Sequence, residues 1–265
     1  MANNWRALSR STSRGAKRSC CKELLTSAMC ILMLASCRRH AVPMVAQVTA
    51  PLLVDGARGA AVALERLRGQ LRLGQRQQEA AVVGLDCEWA RVRAGQKVPG
   101  VELIQVAPTT RLQDAVLFRC GGKSGGIPAP LQELLEDARI LKACVGNMDA
   151  KMLWRSGVEL RGVVDLQRLA RHLDEAATHG VGLASLHRGL CGVALGQGKA
   201  EQCSNWQAAA LSSQQMLYAA EDAAATLRVF LALRDRYAPG MDAAGFGGLF
   251  LDVLKVDEHG ELQRE

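Results

Sequence analysis

Aromatic side chains are scarce in this 265-residue sequence, at 4% of residues, whereas hydrophobic residues of all kinds make up 49%. A core built from this composition must consist mainly of aliphatic side chains. The longest strongly apolar run without charge, residues 24–37, falls short of the ~20 residues that a membrane-spanning helix requires. The charged share of 22% is that of an ordinary globular protein, which argues against general disorder, collagen-like repeats and coiled coils.

None of the nine cysteines belongs to a C-x-x-C pair, and their number is odd. Cys87, Cys120, Cys144 and Cys191 lie in or near apolar stretches, where a thiol behaves as a small hydrophobic side chain. This usage disfavours both a disulfide scaffold and a zinc–thiolate site, and it indicates a reducing compartment.

Excess charge is missing from the chain after residue 50, although the whole chain carries a formal net charge of +7. Residues 1–50 contain eight Lys or Arg and one acid, Glu23, which accounts for the entire excess. The remainder has 25 basic and 25 acidic residues. Any phosphate-binding surface in the body of the protein must therefore be local.

Acidic residues are also absent from positions 1–22, where Arg, Ser and Thr are frequent. This is the composition of an organellar transit peptide, and it predicts a mitochondrial or plastid location. The apolar run 24–37, closed by Arg38 and Arg39, leaves open a secretory signal or a short anchor that would contact a membrane. A disordered tail is a further alternative. We treat residues 1–43 as a targeting or anchor leader and exclude them from the fold.

The body of the chain, residues 44–237, alternates short β-rich runs with helical periodicity, which predicts an α/β domain. Asp165 and Ser212 are placed to cap helices, because each side chain precedes a helical run. The segment 238–265 is Gly-rich and then acidic, and we expect a loosely attached tail. The predicted strands are 45–54, 81–86, 101–107, 115–118, 140–145 and 163–164, and the predicted helices are 60–73, 131–137, 149–156, 166–173, 183–190 and 212–237.

Two carboxylates stand at the end of the strand that contains Leu85-Asp-Cys-Glu-Trp89. Residues i and i+2 of a strand point to the same face, so Asp86 and Glu88 project together. If the two carboxylates are buried, their mutual repulsion must be compensated. A divalent cation suits this role because it prefers carboxylate oxygen ligands. Taken alone, the pair favours a polar strand end whose acids are exposed.

Asp222 and Asp149 are two further acids whose positions make them candidate metal ligands. Tyr218 and Asp222 are separated by four residues and share one face of the long predicted helix, where Asp222 lies among alanines. A lone acid there needs a salt bridge, an exposed edge position or a metal ion. Asp149 follows a predicted strand at the start of a helix, where an aspartate commonly serves as the cap.

Together, an Asp-x-Glu strand, an Asp after a later strand and a Tyr-x-x-x-Asp helix resemble the signature of DEDD exonucleases. Tyr218 marks the tyrosine subtype, since the position for the histidine of the other subtype is Leu217. Leu103-Ile-Gln-Val-Ala107 and Cys203-Ser-Asn-Trp206 are similar to segments of ribonuclease D, Werner-type exonucleases and the exonuclease 3′–5′ domain-containing proteins. The resemblance covers about 45–237 and implies a ribonuclease-H-like fold with a mixed central sheet flanked by helices.

The resemblance also implies a mechanism. Two divalent ions, Mg²⁺ or Mn²⁺, would be held by Asp86 as the shared ligand, by Glu88 and Asp222 at one site and by Asp149 at the other. Tyr218 would orient the attacking water, because its ordinary pKa of ~10 suits a positioning group better than a base.

The implied activity is 3′–5′ exonucleolytic release of nucleoside 5′-monophosphates from single-stranded or 3′-end DNA or RNA. Trp89 is a candidate for stacking on the terminal nucleoside, with core packing as the equal alternative. Lys199 is a weaker candidate for a phosphate contact. Two alternative functions stay open: a nucleic-acid-binding scaffold without turnover, against which the intact set of acids argues, and a ribonuclease-H-like phosphodiesterase that acts on short oligonucleotides. The sequence leaves the oligomeric state open.

Overall fold

The computed structural model of the protein describes residues 50–76, 81–90, 100–121, 125–196 and 199–250. The predicted leader, residues 1–43, lies outside these ranges. Among the described residues, no helix combines the length and hydropathy of a transmembrane segment.

A six-stranded mixed sheet forms the centre of the described structure, with the spatial order β1-β4-β3-β2-β5-β6. The central strands β2, β3 and β4 are antiparallel neighbours, whereas β1 is parallel to β4, and β5 is parallel to both β2 and β6. The predicted strands are confirmed to within a few residues, apart from the part of the first that lies outside the described ranges. The strands are β1 Leu52–Val54, β2 Val82–Trp89, β3 Val101–Ala107, β4 Val116–Arg119, β5 Leu141–Cys144 and β6 Val163–Asp165.

Nine α-helices occur in the described ranges, and the six that the sequence predicted are all among them. The three short helices α5, α7 and α9 were not predicted. The helices are α1 Gly56–Arg76, α2 Ala129–Glu136, α3 Met148–Arg155, α4 Leu166–His172, α5 Glu175–His179, α6 Leu183–Cys191, α7 Lys199–Gln202, α8 Ser213–Tyr237 and α9 Ala243–Gly248.

Both predicted caps are present, and they determine where two of the helices begin. The backbone N–H of Gln167 donates to the Asp165 carboxylate at the start of α4. Ser212 accepts from the backbone N–H of Gln215, whose side chain accepts from the backbone N–H of Ser212 in return. This reciprocal capping box fixes the first turn of α8, the helix that carries Tyr218 and Asp222.

The two faces of the sheet are covered by different helices. Val83, Leu85 and Cys87 of β2 contribute to a core that also contains buried side chains of α1, α2 and α3. The alternate residues of β2 face α8, whose buried residues include Ala219, Ala220, Ala223 and Ala224. The carboxylates of β2 therefore project toward α8 rather than into the purely apolar core.

The expectation of a loosely attached segment after Pro239 is wrong for the residues described. Asp242 caps α9 by accepting from the backbone N–H of Gly245. Phe246 is buried, and its ring centroid lies 5.6 Å from that of Phe230 on α8. Phe250 adds a second aromatic contact, with its ring centroid 5.3 Å from that of Phe246. These contacts hold a Gly-rich segment that composition alone disfavours as a helix.

Candidate active site

Asp86 and Glu88 lie at the carboxyl end of β2 on the face that meets α8. Glu88 is buried at 8% exposure, whereas Asp86 is half-buried. The register with β3 shifts between Glu88 and Trp89, so an irregularity ends the regular pairing directly after the second acid. The interpretation of these two acids as exposed strand-end residues is therefore wrong for Glu88.

Helix α8 brings the third acid to this pair. The carboxylate oxygens of Asp86, Glu88 and Asp222 all lie within 4.8 Å of one another. Tyr218, one turn earlier on the same helix, is buried and hydrogen-bonded to Asp222. We call Asp86, Glu88, Asp149 and Asp222 the acidic cluster.

Gly84 makes the close approach of α8 possible, a role that the sequence alone did not reveal. A Cβ atom at Gly84 would lie 2.0 Å from the carbonyl oxygen of Ala223 and 3.1 Å from Cβ of Leu227. Gly84 is two residues before Asp86 on the same face of β2, and Ala223 directly follows Asp222. The missing side chain at Gly84 thus sets the spacing at which the acids of β2 and α8 meet.

Asp149 occupies the first turn of α3 but does not cap it. The residue at the capping position is Asn147, which makes no side-chain capping hydrogen bond. The Asp149 carboxylate is buried and accepts instead from the backbone N–H of Cys87, the residue between the two acids of β2. The structure thus brings Asp149 to the β2 acids, although it is not one of the three carboxylates that lie within 4.8 Å of one another.

The turn before Asp149 is held by Asp165, whose contribution beyond capping was not predicted. One carboxylate oxygen of Asp165 accepts from the backbone N–H of Gly146 at 2.9 Å and from that of Gln167 at 2.8 Å. Gly146 has φ +82°, a left-handed conformation that side chains disfavour. This turn leads from β5 into α3 and thereby places Asp149.

Burial and like charge together raise the pKa values of the acidic cluster. Burial is the largest cause at Asp86, whose pKa lies well above its ordinary 3.8, and repulsion from Asp149 is the next. Burial followed by repulsion from Asp222 raises the pKa of Glu88 from 4.5 to about 9. Burial raises the pKa of Asp149 to about 7 and that of Asp222 to about 6, against hydrogen bonds that lower both values.

This donor set fits a divalent cation. Several carboxylate oxygens converge within a few ångströms, and their charges oppose one another without a compensating cationic side chain among the causes of their pKa shifts. Hard cations such as Mg²⁺ and Mn²⁺ prefer oxygen ligands of this kind. The structure contains no other group of three or more His, Cys, Asp or Glu side chains with this spacing among the residues that it describes.

The Tyr218 side chain is held in place by Asp222 at its hydroxyl and by Trp206 at its ring. Burial and then the charge of Asp222 raise the pKa of its hydroxyl far above the ordinary value of 10. Its ring packs against buried Trp206, with centroids 6.1 Å apart. A hydroxyl in this setting stays protonated at neutral pH and acts as a hydrogen-bonding group rather than as a base.

Trp89 and Lys199 were predicted to contact the substrate, and the structure describes the side chain of only the first. Trp89 is half-buried and packs against the core beneath α1, α2 and α3, so core packing accounts for part of its surface. Stacking on a nucleoside stays a prediction. Lys199 is the first residue of α7, but its side chain lies outside the described part of the structure.

Comparison with known proteins agrees with this geometry. Residues 68–238 match the family model described as 3′–5′ exonuclease. The human exonuclease 3′–5′ domain-containing protein 2 is 36% identical over 160 residues, which are 57% of this chain and 25% of the relative. A 3′–5′ exonuclease of Arabidopsis thaliana is 33% identical over 159 residues, 58% of this chain and 53% of the relative. The chain thus spans between a quarter and about half of these relatives.

Solved structures support the fold. The Nibbler exonuclease domain of Aedes aegypti superposes with a TM-score of 0.59 at 22% identity, covering 76% of this chain and 95% of that one. Escherichia coli RNase D superposes with a TM-score of 0.54 at 23% identity, covering 76% of this chain and 50% of that one. The predicted ribonuclease-H-like fold is confirmed, and by the match over residues 68–238 the chain belongs to the 3′–5′ exonuclease family.

Proposed function

We propose that this protein is a metal-dependent 3′–5′ exonuclease that hydrolyses phosphodiester bonds at the 3′ end of DNA or RNA and releases nucleoside 5′-monophosphates. The observation that carries the proposal is the convergence of Asp86, Glu88 and Asp222 within 4.8 Å, with buried Asp149 and Tyr218 beside them. Membership of the exonuclease family supports the direction of cleavage.

The acidic cluster would hold two divalent cations, Mg²⁺ or Mn²⁺, with Asp86 as the shared ligand. Glu88 and Asp222 would complete one site, and Asp149 the other. When bound, such ions neutralise the phosphate and polarise the attacking water. The protein contributes the rigidity of the ligand set, because β2, α3 and α8 each present their acids from packed backbone.

Tyr218 would hold the attacking water by a hydrogen bond while remaining protonated. Its hydroxyl is buried and already directed to Asp222, so little rearrangement is needed to present an oxygen or a proton to a water molecule bound there. Positioning of this kind contributes through orientation rather than through proton removal. Proton abstraction by Tyr218 is disfavoured because its pKa is raised.

The direct test incubates the full-length protein with end-labelled single-stranded DNA and RNA in Mg²⁺ or Mn²⁺. We expect shortening from the 3′ end, monophosphate products, and complete inhibition by EDTA. A matched control is Asp235→Asn, which neutralises an exposed aspartate of the same helix that carries Asp222. Binding of nucleic acid without any cleavage would instead support a scaffold role.

We also propose that residues 1–43 direct the protein to a mitochondrion or plastid, with a membrane anchor or secretory route as the alternative. The absence of acids from positions 1–22 supports the targeting role. Residues 1–50 fused to a fluorescent protein should localise to an organelle or membrane. A diffuse cytosolic signal would contradict the targeting proposal and leave the nuclease proposal intact.

A further inference from the structure

Gln105 on β3 is a buried amide that no part of the proposed chemistry uses. Its side chain is 0% exposed, and neither its Nε2 nor its Oε1 has a hydrogen-bond partner among the described residues. No other side chain in those ranges has two buried polar atoms in this condition. Because an unpartnered buried amide is costly, its presence calls for a functional explanation.

The register of the sheet places Gln105 beside the acidic cluster. Gln105 is the direct cross-strand partner of Asp86 on β2 and of Leu117 on β4. Directly opposed residues of antiparallel strands share one face, with Cβ atoms about 4.5–5.5 Å apart. Gln105 therefore lies on the face of the sheet that meets α8, adjacent to Asp86.

The nearest side chains on β3 and β4 offer the amide of Gln105 nothing polar to bind. Leu103 and Ala107, two positions away on the same strand, belong to the apolar cluster on this face, as does Leu117. Ala219 and Ala220 of α8 belong to the same cluster. Of the two side chains directly opposite Gln105 on the neighbouring strands, that of Asp86 is the polar one.

We propose that Gln105 is a positioning residue for Asp86: its amide N–H donates to a lone pair of the Asp86 carboxylate that the bound cations do not use, and so fixes the orientation of that ligand. This inference rests on the proposed function, because it requires the acidic cluster to bind a divalent cation. Groups that orient a metal ligand in this way generally contribute substantially to metal affinity. The role explains why an amide, rather than an aliphatic side chain, occupies a fully buried position.

The test measures Mn²⁺ binding to the full-length protein by calorimetry, together with thermal unfolding in EDTA. Gln105→Met keeps the length of the side chain and removes the donor. Leu117→Met is the matched control, since it introduces the same side chain at the buried position on the other side of Gln105. Gln105→Met should weaken Mn²⁺ binding by about 10–100-fold, and Leu117→Met should leave it unchanged.

Unfolding in EDTA separates positioning from a structural role. Gln105→Met should melt at the same temperature as the unaltered protein or higher, because it removes an unpartnered buried amide. A lower melting temperature in EDTA, or unchanged Mn²⁺ affinity, would overturn the assignment of Gln105. Absence of Mn²⁺ binding by the unaltered protein would overturn the proposed function as well, so the two failures are distinguishable.

Discussion

Replacing Gly84 by alanine should separate the two halves of the acidic cluster. The added Cβ would lie 2.0 Å from the Ala223 carbonyl oxygen, whereas ordinary contact begins at 3.4 Å, so α8 must retreat from β2 by about 1.4 Å. The obstacle is backbone, which cannot rotate away as a side-chain tip can. Overpacking of this kind costs about 1–3 kcal/mol in the free energy of unfolding.

The same displacement acts directly on Asp222, because it precedes Ala223 on α8. A misplacement of about 1 Å in an active site costs roughly 100-fold in rate, so kcat/KM of Gly84→Ala should fall by about that factor. The melting temperature should fall by roughly 2–12 °C. Mn²⁺ affinity should fall too, since the carboxylates of β2 and α8 no longer converge.

Gly69→Ala provides the matched control. Gly69 lies inside α1, and a Cβ there would meet nothing within 4 Å. This variant should be more stable by about 0.5–1 kcal/mol, because alanine favours a helix, and its activity should be unchanged. Equal activity of Gly84→Ala and the unaltered protein would refute the argument that this contact sets the geometry of the site.

Three further predictions concern the acids and the tyrosine. Asp86→Asn should reduce nuclease activity to background while its melting temperature in EDTA holds or rises, because repulsion in the cluster is relieved; full activity would contradict the shared-ligand role. Tyr218→Phe should lower turnover by about 100-fold with Mn²⁺ affinity unchanged, because the attacking water is less well oriented. Excess Mn²⁺ should restore part of the activity of Asp222→Asn but not of Tyr218→Phe. In EDTA, the free energy of unfolding should fall as the pH rises from about 4 to about 7, because the folded-state pKa values of Glu88, about 9, and Asp149, about 7, exceed their unfolded values near 4. Above pH 7 buried Lys142 opposes this trend, because burial lowers its pKa to about 7. Chemical denaturation across this pH range checks the slope, which saturating Mn²⁺ should abolish; a slope of opposite sign in EDTA would contradict the burial of these acids.

Patterns within one element were sufficient to predict much of the site. The period of a strand places Asp86 and Glu88 on one face, and the period of a helix does the same for Tyr218 and Asp222. The Ser212 cap could likewise be identified, because its partner Gln215 lies only three residues away. These features depend on neighbours that are close in sequence.

Relations between elements could not be obtained in this way. The contact of Gly84 with Ala223 and the position of Gln105 opposite Asp86 depend on which strands and helices become neighbours in the folded protein. The family resemblance predicted that the acids of β2 and α8 act together, but it assigned no role to Gly84, which lies at the contact of these two elements. Helix α9 was missed because its stability comes from burial of Phe246 rather than from helix propensity.

The meeting of β2 with α8 also has a consequence for the order of events during synthesis. Asp86 and Asp222 are 136 positions apart along the chain, so their contact is among the most non-local in the fold. Such contacts form only after a large loss of chain entropy, and a growing polypeptide folds from its amino terminus onward. A nascent chain that has exposed every strand but not yet α8 lacks both Tyr218 and Asp222. Any nuclease activity must therefore await the release of the last long helix from the ribosome.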